Sequence, residues 1–233
     1  MVDESLELLL LHALPLSGDM WAGQMHLLPG ATYAPTLYPL GGDIKTWARE
    51  ALRLAKGSRI VVVGCSVGGS CALEIAALAP HRIAGMVLIG TKANCRPDPG
   101  SHAAALRLIE EEGLETTWRD IWEPLFGGPA SLAAIEAAKR IALAQPPGDV
   151  ARGVTAFHTR PSREHVLSTF ERPVAVISGA QDTAPGVPTS RRQAELAPHG
   201  RLHIIPDCGH YVPLEQPQAL NAILREIITE QSA

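Results

Sequence analysis

The pentapeptide Gly64-Cys65-Ser66-Val67-Gly68 places a serine between two glycines. A β-branched apolar run, Arg59 to Val63, precedes it, and a small-residue helical stretch, Ser70 to Leu78, follows it. A nucleophile on a tight strand-to-helix turn needs neighbours that are nearly free of side-chain atoms, and the glycines provide this. The turn also places the serine at a helix N-terminus, where developing negative charge is stabilised. The pattern favours Ser66 as a nucleophile, and the alternative is a glycine-rich turn that contains serine by chance.

A serine hydroxyl needs a base, and two of the nine histidines follow strand-like runs closely. His210 follows Leu202 to Ile205 through a short loop, and His12 directly follows Leu6 to Leu11. A histidine on a loop at a strand end can reach over the edge of the sheet. We expect His210, after the last strand, to be the base, with His12 as its chief rival.

An acid must orient the imidazole and stabilise its charged form. Asp182 lies on a loop after the apolar run Val174 to Ser178, which suits this role. Asp207 is the competitor, but it lies only three residues before His210, where a loop-stabilising role suits it better. Each predicted member of the triad Ser66, Asp182 and His210 therefore lies on a loop after a strand.

A tetrahedral intermediate also needs backbone donors for its oxyanion. One donor is expected to be the N–H of Val67, directly after the nucleophile, and the second an N–H in the loop after the first strand. In His12-Ala13-Leu14-Pro15 we predict the N–H of Leu14. Pro15 favours an extended conformation at the residue before it, which holds that group in place.

The elements that must position these residues alternate between strand and helix, and the strands read as buried on both faces. This predicts an α/β fold with a doubly wound, mostly parallel sheet of about six strands. The other predicted elements are a short helix at Trp21 to Leu28, a strand at Thr32 to Leu37, an amphipathic helix at Ile44 to Ala55, a strand at Ile83 to Ile89 and a final helix at Leu220 to Ile228.

One stretch, from Cys95 to about Arg172, shows helical patterns and no strand. We predict a core domain of residues 1–94 and 172–233, with residues 95–171 as a helical cap inserted over the carboxyl ends of the strands. Within it, a helix is predicted from Ser131 to Gln145, and Leu114 to Leu125 could share a second helix face. The residues expected to line the substrate pocket are Cys65, Trp118, Trp122, Leu125 and Phe126, while Arg96 and Arg160 could meet a substrate carboxylate.

Composition limits the partners. The 233 residues carry a formal net charge of −4, which argues against nucleic acid and against an anionic membrane surface. Acidic residues precede the first apolar run, no run has the length of a membrane span, and no CxxC pair, H-E-x-x-H motif or phosphate-loop lysine is present. We expect a cytoplasmic protein with a small-molecule ester-type substrate, no cofactor and no metal, whose oligomeric state the sequence leaves open.

At these residues the chain resembles the α/β-hydrolase superfamily, and among its members the small-cap bacterial carboxylesterases, 3-oxoadipate enol-lactonases and pimeloyl-carrier-protein methyl esterases. The residues that carry the resemblance are Leu10 to Ser17 as the oxyanion loop, Val63 to Leu73 as the nucleophile elbow, Gly179 to Asp182 as the acid loop and Cys208 to Pro217 as the histidine loop. Two positions depart from the family pattern. Ala13 stands where a glycine usually follows the histidine, and Thr36 stands near the place of a common structural aspartate.

The resemblance implies a serine hydrolase that cleaves a carboxylic ester, lactone or thioester through an acyl-enzyme on Ser66. A lyase, a carbon–carbon hydrolase or a perhydrolase could use the same triad, because fold and triad do not fix the substrate. A non-catalytic binding protein built on the fold is the third hypothesis. Labelling by a fluorophosphonate together with ester turnover separates the three.

Overall fold

Six strands form one parallel sheet in the computed structural model, which describes residues 6–232. The strands are β1 (Leu6–Leu11), β2 (Thr32–Tyr33), β3 (Arg59–Cys65), β4 (Ile83–Ile89), β5 (Val174–Gly179) and β6 (Gly200–Ile205). They lie side by side in the order β2-β1-β3-β4-β5-β6, and the central strands are buried along nearly their whole length. This confirms the predicted fold class. Residues 1–5 of the predicted core and Ala233 lie outside the described residues.

Helices connect and cover these strands. They are α1 (Ile44–Leu54), α2 (Val67–Leu78), α3 (Pro99–Glu111), α4 (Gly113–Thr117), α5 (Leu132–Leu143), α6 (Pro147–His158), α7 (Glu164–Ser168), α8 (Gly186–Leu196), α9 (Val212–Glu215) and α10 (Pro217–Ser232). Helix α1 begins where the Asp43 carboxylate accepts a hydrogen bond from the N–H of Thr46, and its apolar face packs on α2. Helix α8 packs on β5 and β6, while α10 contacts β1 and β4.

The strand order reverses between β1 and β3, because the chain goes from β1 outward to β2 and then crosses back to β3. In open parallel sheets, ligands bind beyond the carboxyl ends of the strands at such a reversal. The loop that follows β1 and the turn that follows β3 therefore meet at the place where a site is expected.

The chain between β4 and β5 is helical, and the described residues there contain no strand. Ser131 caps α5, since its hydroxyl accepts a hydrogen bond from the N–H of Ala134, as the sequence predicts. The same stretch contributes α3 to α7. Its separation into a domain of its own, residues 95–171, stays a prediction.

Three predicted elements are wrong in extent. The helix at Trp21 to Leu28 is a single 3₁₀ turn at Gly18–Trp21, which the Ser17 hydroxyl caps. The strand at Thr32 to Leu37 has only two residues, Thr32 and Tyr33. At the end of that segment, the Leu37 N–H instead donates a hydrogen bond to His12 in the loop after β1. The elbow turn is also shorter than the gap between the predicted runs Arg59 to Val63 and Ser70 to Leu78, because strand β3 continues to Cys65 and α2 begins at Val67.

The helix face predicted over Leu114 to Leu125 is broken into three turns of different pitch. Helix α4 is followed by a π turn at Trp118–Trp122 and a 3₁₀ turn at Glu123–Leu125. Pro124 has no N–H to donate, so a regular α-helix does not continue through it. No helix in the described range 6–232 combines the length and apolar character that crossing a membrane requires.

Candidate active site

Ser66 is the single residue between β3 and α2, and its backbone has φ 54° and ψ −116°. A residue with a side chain rarely adopts this conformation, so the surroundings must impose it. The Ser66 N–H donates to the Ile89 carbonyl at 2.8 Å, and the Ser66 carbonyl accepts from the Thr91 hydroxyl at 3.1 Å. A Cβ on Gly64 would lie only 2.3 Å from the Gly68 carbonyl oxygen, so this close turn requires a glycine at position 64.

His210 and Asp182 form a buried pair at the same edge of the sheet. The Nδ1 atom of His210 lies 3.1 Å from Asp182 Oδ1 and 3.3 Å from Oδ2, and the two side chains are 3% and 0% exposed. The Ala184 N–H donates to the same carboxylate at 2.8 Å, which fixes its orientation. A carboxylate at Nδ1 holds the proton there and leaves Nε2 as the acceptor nitrogen.

Gly90, directly after β4, brings this pair next to the serine. Its φ is 54°, and a Cβ at this position would lie 2.8 Å from the His210 ring and 3.1 Å from Asp182 Oδ2. Ile89, its neighbour, accepts the hydrogen bond from the Ser66 N–H. The ends of β3, β4 and β5 and the loop after β6 therefore assemble Ser66, Asp182 and His210 within one compact group. Among the described residues, the Ser66 hydroxyl and His210 Nε2 make no hydrogen bond of their own.

Glu215, in α9, holds the backbone on both sides of the histidine. One carboxylate oxygen accepts from Gly209 N–H at 2.8 Å and from Gly127 N–H at 2.9 Å, and the other accepts from Tyr211 N–H at 2.9 Å. The His210 N–H itself donates to the Leu125 carbonyl at 2.9 Å. Charge-assisted bonds of this kind are strong, so the histidine loop is tied firmly to the segment Leu125–Gly127.

His12, the rival base, is held by the backbone at both ring nitrogens. Nε2 accepts from the Leu37 N–H at 2.8 Å, and Nδ1 lies 3.0 Å from the Ala13 carbonyl oxygen. Complete burial lowers the pKa of His12 to about 4. The ring is therefore neutral near pH 7, and it connects the loop after β1 to the segment that precedes α1.

Asp207, the rival acid, is exposed. Cys65 lies beside His210, and burial raises the pKa of its thiol well above the ordinary value.

Among the described residues, the backbone N–H groups of Val67 and Leu14 make no hydrogen bond. Val67 is the first residue of α2, so its N–H has no acceptor within the helix. The N–H of Leu14 donates no hydrogen bond within the described structure. The Leu14 carbonyl accepts from the hydroxyl of the fully buried Tyr211 at 3.1 Å, which ties the loop after β1 to the histidine loop.

A cavity of about 260 Å³ opens above Ser66. Its walls are mostly apolar and come from the strand ends and from the helical stretch between β4 and β5. The lining residues are Leu14, Ser66, Gly90, Lys92, Ala105, Ile121, Trp122, Leu125, Val154, Phe157, His158 and Ala184. The volume falls just below the usual range for small-molecule sites, so it suits a compact substrate.

Of the predicted pocket residues, Trp122 and Leu125 line this cavity, whereas Cys65, Trp118 and Phe126 do not. Trp118 is fully buried and its indole donates to Glu123, because a buried indole N–H needs an acceptor. Phe126 packs between the rings of Trp118 and Tyr211. Cys65 lies under the histidine loop, with its Sγ 3.8 Å from the His210 carbonyl oxygen.

Neither predicted arginine lines the cavity. Arg96 is exposed, and the guanidinium of Arg160 lies 3.9 Å from the centre of the Phe157 ring and donates to the Phe157 carbonyl. The sequence interpretation assigned no role to Glu215, Tyr211 or Lys92. Glu215 and Tyr211 lie five residues and one residue after His210, and this closeness to the predicted base is a sequence signal for a role at the site.

Comparison with known proteins identifies the family. The model of the alpha/beta hydrolase family matches residues 8–223. A pimeloyl-[acyl-carrier protein] methyl ester esterase from Aromatoleum aromaticum is 26% identical, over 95% of this chain and 98% of its own. A protein described as the carbamate hydrolase RutD, from a Caulobacter species, is 27% identical, over 93% of this chain and 88% of its own.

Among solved structures, a thermophilic esterase from Thermogutta terrifontis superimposes with a TM-score of 0.86 at 25% identity, and the match covers 98% of this chain and 91% of that one. The family match spans nearly the whole chain and includes the loops that carry Ser66, Asp182 and His210. The chain belongs to the alpha/beta hydrolase family.

Proposed function

We propose that this chain is a serine hydrolase that cleaves a carboxylic ester, lactone or thioester through an acyl-enzyme on Ser66. The observation that supports this best is the buried carboxylate–imidazole pair of Asp182 and His210, which lies against Gly90 beside the strained turn of Ser66. A backbone that holds a serine at φ 54° next to such a pair suits nucleophilic catalysis.

In the first half-reaction, Ser66 Oγ attacks the substrate carbonyl carbon while His210 Nε2 takes the hydroxyl proton. The carbonyl becomes a tetrahedral oxyanion, and the imidazolium is stabilised by Asp182 through Nδ1. When the bond to the leaving oxygen or sulfur breaks, the imidazolium gives its proton to the leaving group. An alcohol or thiol departs, and the acyl group stays on Ser66; a lactone instead opens and remains attached through its acyl end.

In the second half-reaction, water replaces the leaving group. His210 takes a proton from the water as the oxygen attacks the acyl carbon, and the second tetrahedral intermediate then collapses. The proton returns to Ser66 Oγ, which leaves a carboxylic acid and the free enzyme. The net reaction adds one water across the ester, lactone or thioester bond.

The oxyanion of both intermediates is assigned to the N–H groups of Val67 and Leu14. Neither group has an acceptor among the described residues, and Leu14 lines the same cavity as Ser66. Donors that are fixed before the reaction stabilise a developing charge without a reorganisation cost at the moment of reaction. The N-terminus of α2 adds to this stabilisation, since Val67 opens the helix.

The test is labelling with a fluorophosphonate followed by turnover of p-nitrophenyl acetate. We expect wild type to be labelled on Ser66 and to hydrolyse the ester, and Ser66→Ala to lose both. The matched control is Ser70→Ala, one turn along α2, whose hydroxyl is buried without a hydrogen-bond partner within the described structure.

The outcomes separate the hypotheses that the sequence left open. Labelling without hydrolysis of any ester, lactone or thioester would favour a lyase, carbon–carbon hydrolase or perhydrolase that uses the same triad. Absence of labelling in a folded wild-type protein, or equal losses in Ser66→Ala and Ser70→Ala, would reject Ser66 as the nucleophile.

A further inference from the structure

Among the described residues that line the cavity containing Ser66, Lys92 is the one lysine or arginine. The lysine is exposed, and its ammonium forms no ion pair within the described structure. Apart from Ser66 and His158, the other described residues that line the cavity are apolar or glycine, and none is acidic. The charge is therefore not balanced by the protein inside the cavity.

The backbone that carries Lys92 is fixed relative to Ser66. The Gln193 side chain donates to the Thr91 carbonyl at 2.7 Å and accepts from the Ala93 N–H at 2.6 Å, so it holds both neighbours of the lysine. The Thr91 hydroxyl donates to the Ser66 carbonyl at 3.1 Å. A lysine on an immobilised segment is positioned at a smaller entropy cost than one on a mobile loop.

His158, at the end of α6, supplies a polar group to the same cavity. Its ring stacks on His102, with centroids 5.0 Å apart and an angle of 9° between the planes, and its nitrogens make no hydrogen bond in the described structure. Burial, with smaller contributions from His102 and Arg160, lowers the pKa of His158. The imidazole is therefore neutral near pH 7, and it can donate a hydrogen bond to a ligand without adding charge.

We infer that the substrate carries a carboxylate in addition to its scissile acyl bond, and that Lys92 and His158 bind this carboxylate. The inference rests on the proposed function and deepens it by naming the substrate class. The apolar wall formed by residues such as Ile121, Trp122 and Val154 suits a hydrocarbon segment between the two groups. One ammonium and one neutral ring match a single negative charge, whereas a phosphate dianion would require more cationic donors.

The experiment compares two substrate series that differ only in charge. The first series consists of monomethyl esters of straight-chain dicarboxylic acids, and the second of the same esters with the free carboxylate replaced by the neutral, isosteric carboxamide. Methanol release gives kcat/KM at each chain length. At the chain length that is cleaved best, we expect kcat/KM to be roughly 3- to 30-fold higher for the carboxylate than for the carboxamide. This range lies between the effect of an exposed ion pair and that of a charged hydrogen bond.

Two variants of Lys92 identify the source of this preference. Lys92→Met should lower the ratio of kcat/KM for carboxylate over carboxamide towards one, mainly through KM, and Lys92→Glu should favour the carboxamide. Lys56→Met, an exposed lysine outside the cavity, is the matched control and should keep the wild-type ratio. In wild type the ratio should fall as the salt concentration rises, because Lys92 is exposed to solvent.

The results can reject the inference without rejecting the hydrolase. If fluorophosphonate labels Ser66 and p-nitrophenyl acetate is hydrolysed, but carboxamides are cleaved as fast as carboxylates at every length, the carboxylate site is wrong and the proposed function stands. The carboxylate site is equally wrong if Lys92→Glu leaves the ratio unchanged. If Ser66 is not labelled and no ester is hydrolysed, both proposals fail.

Discussion

The loop after β1 and the loop after β6 each carry a buried histidine at the same edge of the sheet, yet the two rings are held in different ways. Both nitrogens of His12 face backbone groups, the Leu37 N–H and the Ala13 carbonyl. His210 has one nitrogen against the Asp182 carboxylate, and its other nitrogen has no partner in the described structure.

This difference shows what separates a structural histidine from a candidate base. A ring whose two nitrogens are occupied by the backbone has no free position for a proton in transit, and its burial opposes protonation. A ring beside a carboxylate gains stabilisation when it becomes charged and keeps one nitrogen for proton transfer. Position at a strand end is common to both residues and does not distinguish them.

The largest expected effect comes from replacing each of the two histidines, His210 and His12, by glutamine. His210→Gln should lower kcat by roughly 10⁴- to 10⁶-fold, the range found when one member of such a triad is lost. His12→Gln should keep kcat within about threefold and lower the free energy of unfolding by about 1 kcal/mol for the weakened backbone contact. Steady-state kinetics and thermal unfolding measure both, and a larger kcat loss in His12→Gln would reverse the assignment.

The next test removes the charge that distinguishes the two rings. Asp182→Asn keeps the shape of the side chain but disfavours the tautomer that His210 needs, so kcat should fall on the order of 10⁴-fold. The exposed Asp207→Asn is the matched control and should stay within about threefold of wild type, as expected for a surface change. Equal losses in the two variants would show that Asp207 shares or holds the role of the acid.

A smaller effect should follow from removing the hydrogen bond that joins the loop after β1 to the histidine loop. Tyr211→Phe removes the hydroxyl that donates to the Leu14 carbonyl, so kcat should fall by roughly 3- to 10-fold, in proportion to one hydrogen bond, while KM changes little. Tyr38→Phe is the control, because the Tyr38 hydroxyl is buried without a partner in the described structure and its loss should leave kcat unchanged. If Tyr211→Phe lowers only the melting temperature, Tyr211 does not position the oxyanion donor.

The last test concerns the pH dependence of stability rather than activity. The pKa of His12 is about 4 in the folded chain and near 6.5 in the unfolded chain, so below pH 6.5 the unfolded state takes up the proton first. The free energy of unfolding should therefore decrease as the pH falls from about 6.5 towards 4, by on the order of 3 kcal/mol in total from this residue.

Denaturant titrations between pH 7 and 5 measure this decrease before most carboxylates titrate. The difference between wild type and His12→Gln isolates one residue, because the other histidines are present in both proteins. Parallel stability curves would mean that His12 titrates normally when folded.

Much of this architecture was predictable because short apolar runs and glycine spacing are local signals. The extent of β4, nearly the full extent of α1 and the capping of α5 by Ser131 follow from local periodicity or capping. The positions of Ser66, Asp182 and His210 after strands follow from the same apolar runs, and their role as a triad stays a prediction. The apolar periodicity alone does not show the breaks in the stretch after α4, although Pro124 is a local signal that a regular helix ends there.

The cavity wall was less predictable, since it depends on contacts between residues far apart in the chain. Glu215 binds Gly127, which lies 88 positions away, and Gln193 holds the backbone beside Lys92 from about 100 positions away. The sequence predicts aromatic side chains in the pocket from residue type alone. Their positions depend on which of them finds a polar partner or a second ring, and Trp118 and Phe126 find these away from the cavity.

The backbone at Ser66 has a consequence for the evolution of this chain. A residue with a side chain at φ 54° costs of order 1–3 kcal/mol, a sizeable share of the roughly 5–15 kcal/mol that keeps a domain folded. Glycine would remove that cost. Selection for stability of the folded protein alone therefore favours glycine at position 66, whereas selection for catalytic turnover favours serine. A duplicated gene that is no longer selected for catalysis should therefore replace this serine by glycine early and encode a more stable, inactive protein.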